Sequence, residues 1–253
     1  MQDFSPYHPP IAIEFLGLSR LGITSTVLML FLSAFLTWWL LFYLSRHSTP
    51  YPQGFLANLI DTLVGFVRET IVLGFGGKEM LPWTGFATTL FFFVLLTNLL
   101  GLIPFPPFVS TATALPAVVI GLAAVIFSLM IGLNIKHHGV AGFLHKFVPP
   151  GVPTFLVPLM FVIELVGFLA RPASLAIRLC ANMNAGHMVL GVFVAMTKDL
   201  WAVPLLLKVG AVLPIAAAAA MTGFEVFVGF IQAMVFTVLS VIYLSDAAAH
   251  HHE

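Results

Sequence analysis

Arg178 is a permanently charged side chain within a long apolar stretch of this sequence. A guanidinium keeps its proton, and at the depth of a bilayer it costs from ~2.5 to more than ~10 kcal/mol, depending on the scale used. A membrane protein that retains such a group is expected to use its charge. Two uses fit this chemistry: holding a carboxylate that comes and goes, and blocking a path for ions.

Other polar side chains interrupt the same stretch and the next apolar one. Glu164, Arg171 and Arg178 recur every seven residues, so they share one helix face with a drift of about 20° per step. Asn182 follows Arg178 by one turn on that face. The candidate residues are Glu164, Arg171, Arg178, Asn182 and His187 on the first stretch, and Glu225, Gln232 and Tyr243 on the second.

The spacing of these residues predicts two facing pairs in an antiparallel helix hairpin. Arg178 opposite Gln232 requires a turn near residue 205. His187 opposite Glu225 requires the same turn, and Pro204 lies there among charged residues. One register therefore pairs an arginine with an amide and an imidazole with a carboxylate. It also sets His187 and Glu225 nearer the outer side of the membrane than Arg178.

The two pairs differ in the chemistry that they offer. A histidine beside a glutamate can take up and release protons near neutral pH. An arginine cannot relay a proton, but it stabilises the ionised form of a carboxylate that approaches it. A proton relay that leads to a fixed cation suits a protein that loads and unloads protons on the carboxylate of another chain.

Composition places all of these residues in an integral membrane protein. Hydrophobic residues make up 60% of the chain and charged residues only 8%, whereas soluble domains carry about 25% charged residues. We expect an all-α, multi-pass fold that forms a single membrane domain over 1–253, because the apolar stretches have helix lengths. The formal net charge is zero, which argues against a nucleic-acid partner. The single cysteine, Cys180, excludes an intrachain disulfide.

The first third of the chain predicts one upright span and one surface helix. Residues 1–20 form an outer N-terminal segment, and 21–45 form a charge-free span between Arg20 and Arg46. Residues 55–79 are amphipathic and predict a helix in the membrane interface that ends at a run of glycines. Its polar stripe consists of Asn58, Asp61, Thr62, Arg68 and Glu69, and the glycines are Gly74, Gly76 and Gly77.

Residues 80–135 carry no charge and are long enough for a transmembrane hairpin, Met80–Ile103 and Thr111–Ile135. Prolines 104, 106 and 107 break it. The next loop is basic, so the positive-inside rule predicts that it lies on the cytoplasmic or matrix side. The N-terminus is then outside and the C-terminus inside. The lysines and histidines that make this loop basic are Lys136, His137, His138, His145 and Lys146.

Residues 155–198 and 209–245 predict two long antiparallel helices. The first has no good turn between Pro158 and Lys198, so about 40 residues form one helix of about 60 Å. The hydrocarbon layer is only about 30 Å thick. We therefore expect both helices to lie strongly tilted.

Three segments give the chain a resemblance to subunit a of the F-type ATP synthase, in its proteobacterial and mitochondrial forms. They are T-N-L-L-G-L-I-P (Thr97–Pro104), E-x6-R-P-x-S-L-A-I-R-L-x-A-N-M-x-A-G-H (Glu164–His187) and F-I-Q-A-M-V-F-T-V-L-S-V-I-Y-L (Phe230–Leu244). They cover most of 97–246 in order, whereas the first 75 residues match only in general character.

The resemblance implies a proton-translocating stator subunit that is not an enzyme by itself. Arg178 would face the ring of c subunits and separate two half-channels. The outer half-channel would be lined by Asn182, His187, Glu225 and Gln232, and the inner one by Glu164, with Arg171 and Tyr243 as accessory residues. The implied partners are the c-subunit ring, b-type subunits of the peripheral stalk, other ATP synthase subunits and the lipid bilayer. The implied location is the inner membrane of a bacterium or mitochondrion.

Simpler explanations exist for several of these residues. Arg171 could pair with Glu164 or reach the interface, His187 and Glu225 could form a structural hydrogen bond, and Asn182 and Gln232 could join helices. An ion-coupled secondary transporter is the alternative function, although no internal repeat supports it. A metal-dependent membrane enzyme would need a motif such as H-E-x-x-H, which is absent. We predict no cofactor and no metal site. The resemblance leaves open whether the ion is a proton or sodium.

Overall fold

The computed structural model describes residues 25–46, 54–102, 116–145, 147–148, 151–201 and 212–248, and every regular element within these ranges is a helix. The predicted all-α fold is confirmed. Within the same ranges, four helical stretches are long and apolar enough to cross a membrane: Lys78–Gly101, Val118–His137, Ala176–Thr197 and Val212–Ala248. The chain is therefore a multi-pass membrane protein.

Helix α1 covers Ser25–Arg46, and the predicted outer segment over 1–20 lies outside the described residues. One face of α1 buries Met29, Ser33 and Thr37. The Ser33 hydroxyl donates to the Met29 carbonyl over 2.8 Å, and the Thr37 hydroxyl donates to the Ser33 carbonyl over 2.7 Å. Both buried hydroxyls are thus satisfied within their own helix.

The stretch predicted as one interfacial helix contains three helical segments. Helix α2 covers Phe55–Phe66, a π-helix follows over Val67–Gly76, and a 3₁₀-helix covers Lys78–Trp83. Gly77 separates the last two with a φ of 73°, a conformation that only glycine adopts without strain. The predicted polar stripe is exposed along its whole length. On the other side of these segments Ile60, Val67, Ile71 and Val72 are buried.

Helices α3 and α4 correspond to the predicted transmembrane hairpin. Helix α3 covers Thr84–Gly101 and α4 covers Pro116–His145, while the three prolines between them lie outside the described residues. The prediction that a loop begins after Ile135 was wrong, because the helix continues through Lys136 and His137, residues that are compatible with a helix. Gly139, with a φ of 68°, forms a kink, and a second helical stretch follows it to His145.

The last two helices are the longest of the described chain. Helix α5 covers Val157–Trp201 without a break and has 45 residues. Helix α6 covers Val212–Ala248 and has 37 residues. The predicted turn between them lies outside the described residues. A rise of 1.5 Å per residue makes α5 about 67 Å long, which is about twice the hydrocarbon thickness.

The described residues form two compact units. The first unit contains 25–42, 92–102, 179–201 and 212–234. Its interior includes apolar side chains such as Val94 and Leu179, each 0% exposed, and it also buries the amides Asn98 and Gln232. The core of this unit is therefore partly polar.

The second unit contains 43–46, 54–91, 116–145, 147–148, 151–178 and 235–248. Phenylalanine rings pack the end of α4 against α5. The ring centroid of Phe147 lies 5.2 Å from that of Phe143, 5.4 Å from that of Phe168 and 5.6 Å from that of Phe161. The Ser245 hydroxyl of α6 donates to the Gly76 carbonyl over 3.2 Å. The π-helix is thereby attached to the end of α6.

Candidate proton-path site

A direct hydrogen bond joins the polar faces of α5 and α6 in the first unit. The side-chain nitrogen of Asn182 donates to the side-chain oxygen of Gln232 over 3.3 Å. Gln232 is 2% exposed, whereas Asn182 is exposed. The predicted register set Gln232 opposite Arg178. The observed partner of Gln232 is Asn182, one turn further along α5. The two helices are nevertheless joined through residues of the predicted polar set.

Glu225 is the buried carboxyl group of the site, with 6% of its surface exposed. It faces Gly186 of α5, which precedes His187. A Cβ atom built on Gly186 would lie 2.9 Å from Cδ of Glu225, 3.2 Å from its Cγ, and closer still to Oε1. Real Cβ atoms essentially never come this close to another heavy atom, so a residue with a side chain cannot fit at Gly186 unless Glu225 moves. The contact lies within one residue of the predicted pairing between His187 and Glu225.

Three polar atoms of this site are buried without a hydrogen-bond partner in the described part of the chain. They are both carboxyl oxygens of Glu225 and the side-chain nitrogen of Gln232. Leaving a buried polar group unsatisfied costs about 1–3 kcal/mol, and more for a charge. Glu225 and Gln232 lie seven residues apart, on one face of α6. Unsatisfied atoms concentrated on one face fit a path that water or a mobile proton can reach.

Arg178 lies on α5, one turn before Asn182, and it is exposed. It also lies inside the candidate span Ala176–Thr197. No ion pair of Arg178 occurs among the described residues; the ion pair found there joins Arg68 to Glu69 over 3.8 Å. The neighbouring Ile177 is 69% exposed. Arg178 is therefore exposed on α5 beside an exposed apolar side chain.

The remaining predicted residues occupy different parts of the long helices. Glu164 is half-buried on α5, in the second unit, and Tyr243 is half-buried on α6, in the same unit. Arg171 and His187 belong to α5, but their side chains lie outside the described ones. The predicted contact between His187 and Glu225 therefore stays a prediction.

Three residues that shape the site are not among those predicted from the sequence. Gly186 leaves room for Glu225, and Gly229 lets Asn98 approach α6. Asn98 is 0% exposed and donates to the Gly229 carbonyl over 3.2 Å. A glycine inside a helical pattern often has a packing reason, and an amide in a charge-free span commonly joins helices. The sequence shows both features, but neither indicates which residue of another helix lies opposite.

Comparison with known proteins gives one consistent family. The family model described as ATP synthase A chain matches residues 26–245. The chain is 40% identical to ATP synthase subunit a of Gluconobacter oxydans over 210 residues, which are 82% of each chain. It is 39% identical to subunit a of Magnetococcus marinus over 248 residues, covering 95% of this chain and 90% of that one. With subunit a of Nitrobacter winogradskyi it shares 34% identity over 244 residues, or 96% of each chain. The chain therefore belongs to the ATP synthase A chain family.

Proposed function

We propose that this chain is the proton-translocating stator subunit of a rotary F-type ATP synthase, and that Arg178 separates two half-channels within it. The observation that carries the proposal is the buried carboxyl group of Glu225, unpaired within the described residues, on the face of α6 that Gln232 and Asn182 join to α5. Family membership supports the same function and leaves the secondary-transporter alternative without support.

The outer half-channel consists of His187, Glu225, Gln232 and Asn182. Glu225 takes up a proton from water on the outer side and exchanges it with His187, and the two amides hold the helices together around the path. The unsatisfied oxygens of Glu225 support this role, because a carboxyl group in a dry interior would need a protein partner. The inner half-channel opens near Glu164, which lies two seven-residue repeats, or about four helical turns, before Arg178 on α5.

Arg178 acts on a carboxylate that belongs to another chain. Its exposed position inside a candidate span supports this proposal, since a guanidinium that faces only lipid is very costly. A ring of c subunits that carries one carboxyl group on each protomer would supply the partner. The guanidinium stabilises the ionised carboxylate as it passes, and its fixed charge prevents a direct leak between the half-channels.

The proposal includes an orientation and a set of neighbours. The chain lies in an inner membrane, with its N-terminus outside and its C-terminus on the cytoplasmic or matrix side. The basic residues at the end of α4 support this topology, because Lys136 is exposed next to the end of the candidate span Val118–His137. The c ring, b-type stalk subunits and the remaining ATP synthase subunits surround it. Nucleotide chemistry belongs to those other subunits.

Substitution of Arg178 in the complete complex tests the proposal. Arg178→Ala should abolish ATP-driven acidification of inverted membrane vesicles while the complex still assembles. Arg178→Lys should also fail, because an ammonium lacks the planar, bidentate guanidinium and is more strongly hydrated. Arg68→Ala is the matched control, since Arg68 is an exposed arginine of the π-helix. This variant should leave pumping unchanged. Normal pumping by Arg178→Ala would refute the central role given to this residue.

A further inference from the structure

Asn98 connects α3 to α6 in the interior of the first unit. Its side-chain nitrogen donates to the backbone carbonyl of Gly229 over 3.2 Å, and the two residues are separated by 131 positions in the chain. Asn98 is 0% exposed. A buried asparagine can also bond within its own helix, as Asn134 of α4 does with the Met130 carbonyl over 2.9 Å. The bond from Asn98 to another helix therefore constrains where α6 lies.

The glycine at 229 makes this close approach possible. A Cβ atom built on Gly229 would lie 3.3 Å from Cβ of Asn98, which is tighter than ordinary van der Waals contact. Any larger residue would have to displace the asparagine or the helix by some tenths of an ångström. Gly229 thus leaves the space that lets the amide of Asn98 reach the backbone of α6.

Gly229 lies between the two buried polar residues of α6. Glu225 precedes it by one turn and Gln232 follows it by three residues, so all three residues share one face of the helix. All three are buried. A contact that ties α6 to α3 at Gly229 therefore restricts the height and rotation of α6 within one turn of the points where Glu225 meets Gly186 and Gln232 meets Asn182.

We infer that Asn98 is a positioning residue of the proton path: through the carbonyl of Gly229 it holds α6 in the register that keeps Glu225 against Gly186. The effect on helix register stands on geometry alone. The effect on proton flux rests on the proposed function, and the two effects are measured separately.

Disulfide formation measures the helix register without any need for activity. The pair Gly186→Cys and Glu225→Cys is introduced with Cys180→Ser, which removes the single native cysteine. A Cβ atom at 186 lies 3.2 Å from Cγ of Glu225, so the pair is within reach of a disulfide. The rate of oxidation is followed in the full complex in membranes, as loss of free thiols on this chain.

Asn98→Leu should slow this oxidation about five-fold, the factor that one lost hydrogen bond of ordinary strength represents. Asn134→Leu removes a buried amide of the second unit, whereas 186 and 225 belong to the first, so it should change the rate less than about two-fold. Asn98→Asp replaces the donating nitrogen by oxygen with little change of shape, and it should also slow the oxidation. It provides the test if Asn98→Leu does not assemble. Equal rates in the Asn98 variants and the parent pair would overturn the inference.

Proton flux is then measured in chains that retain Gly186 and Glu225. Asn98→Leu and Gly229→Ala should each lower ATP-driven acidification about five-fold per assembled complex, whereas Asn134→Leu should pump normally. Slower oxidation with normal flux would overturn the role of Asn98 in the proton path and leave the proposed function intact. A parent complex that pumps no protons would instead refute the proposed function, whatever the oxidation rates are.

Discussion

Asn182 and Gln232 are joined side chain to side chain, with 3.3 Å between the donating nitrogen and the accepting oxygen. The two residues differ in surroundings, since Gln232 is 2% exposed and Asn182 is exposed. The bond therefore runs from the interior of the first unit to its surface, one turn from Arg178. Whatever moves Asn182 also alters the environment of the buried amide of Gln232, whose oxygen accepts this bond and whose nitrogen has no partner among the described residues.

The bond between these amides predicts coupled effects on proton flux. Asn182→Ala and Gln232→Ala should each slow ATP-driven acidification, because either change leaves the other amide without its partner. The double variant should lose less than the two single losses added as free energies, by about 1 kcal/mol. Acidification rates per assembled complex test this, with the four forms arranged as a double-mutant cycle. Strict additivity would mean that the bond has no part in the path.

A side chain at Gly186 should displace the carboxyl group of Glu225. Gly186→Ala places a methyl group where that carboxyl group lies, so proton flux should fall at least about ten-fold, whereas assembly should fall less, because the end of a flexible side chain can move. Gly191→Ala is the control, because nothing lies within 4 Å of a Cβ built on Gly191 of the same helix. The measurements are subunit content by immunoblot and acidification of vesicles. Equal behaviour of the two alanine variants would contradict the close contact.

His187 and Glu225 should act as one relay. His187→Ala and Glu225→Ala should each slow proton flux more than they lower assembly, because each removes a titratable group from the access path. The double variant should be less impaired than the sum of the single losses, expressed as free energies. Exchanging the two residues should retain more flux than the double alanine variant. Small, additive losses would identify the pair as a structural hydrogen bond instead.

Helices α5 and α6 should lie far from the membrane normal. The 45 residues of α5 make about 67 Å of helix, and an upright helix of that length would carry apolar side chains into water. The measurement is the angle between α5 and the normal in a density map of the complex in lipid nanodiscs. An upright α5 with both ends in water would contradict the prediction.

The sequence predicts the long helices well because their evidence is local. Between Pro158 and Lys198 no turn signal appears, and the structure has one helix throughout. The same type of evidence failed after Ile135. Charge and histidine content indicated a loop there, yet such residues also continue a helix, and only Gly139 interrupts it. Charged residues and histidines therefore do not mark the end of this helix, whereas a glycine with a positive φ marks its kink.

The sequence predicts which polar residues belong to the site, but it predicts only approximately which of them contact each other. Helix periodicity placed Asn182 on the face of Arg178, and the hairpin register set Gln232 and Glu225 opposite that helix. The partner of Gln232 is Asn182, one turn from the predicted Arg178, because the rotation and height of one helix against another depend on packing. Gly229 and Asn98 set part of that packing, and nothing in the local sequence connects them.

The crowding between Gly186 and Glu225 makes the effect of a substitution at one position depend on the residue at the other. A larger residue at 186 displaces the carboxyl group of Glu225 as long as that side chain is present. Beside a shorter residue at 225 the same change meets no carboxyl group. The order of the two substitutions therefore matters, and a larger residue at 186 is better tolerated after 225 has been shortened than before.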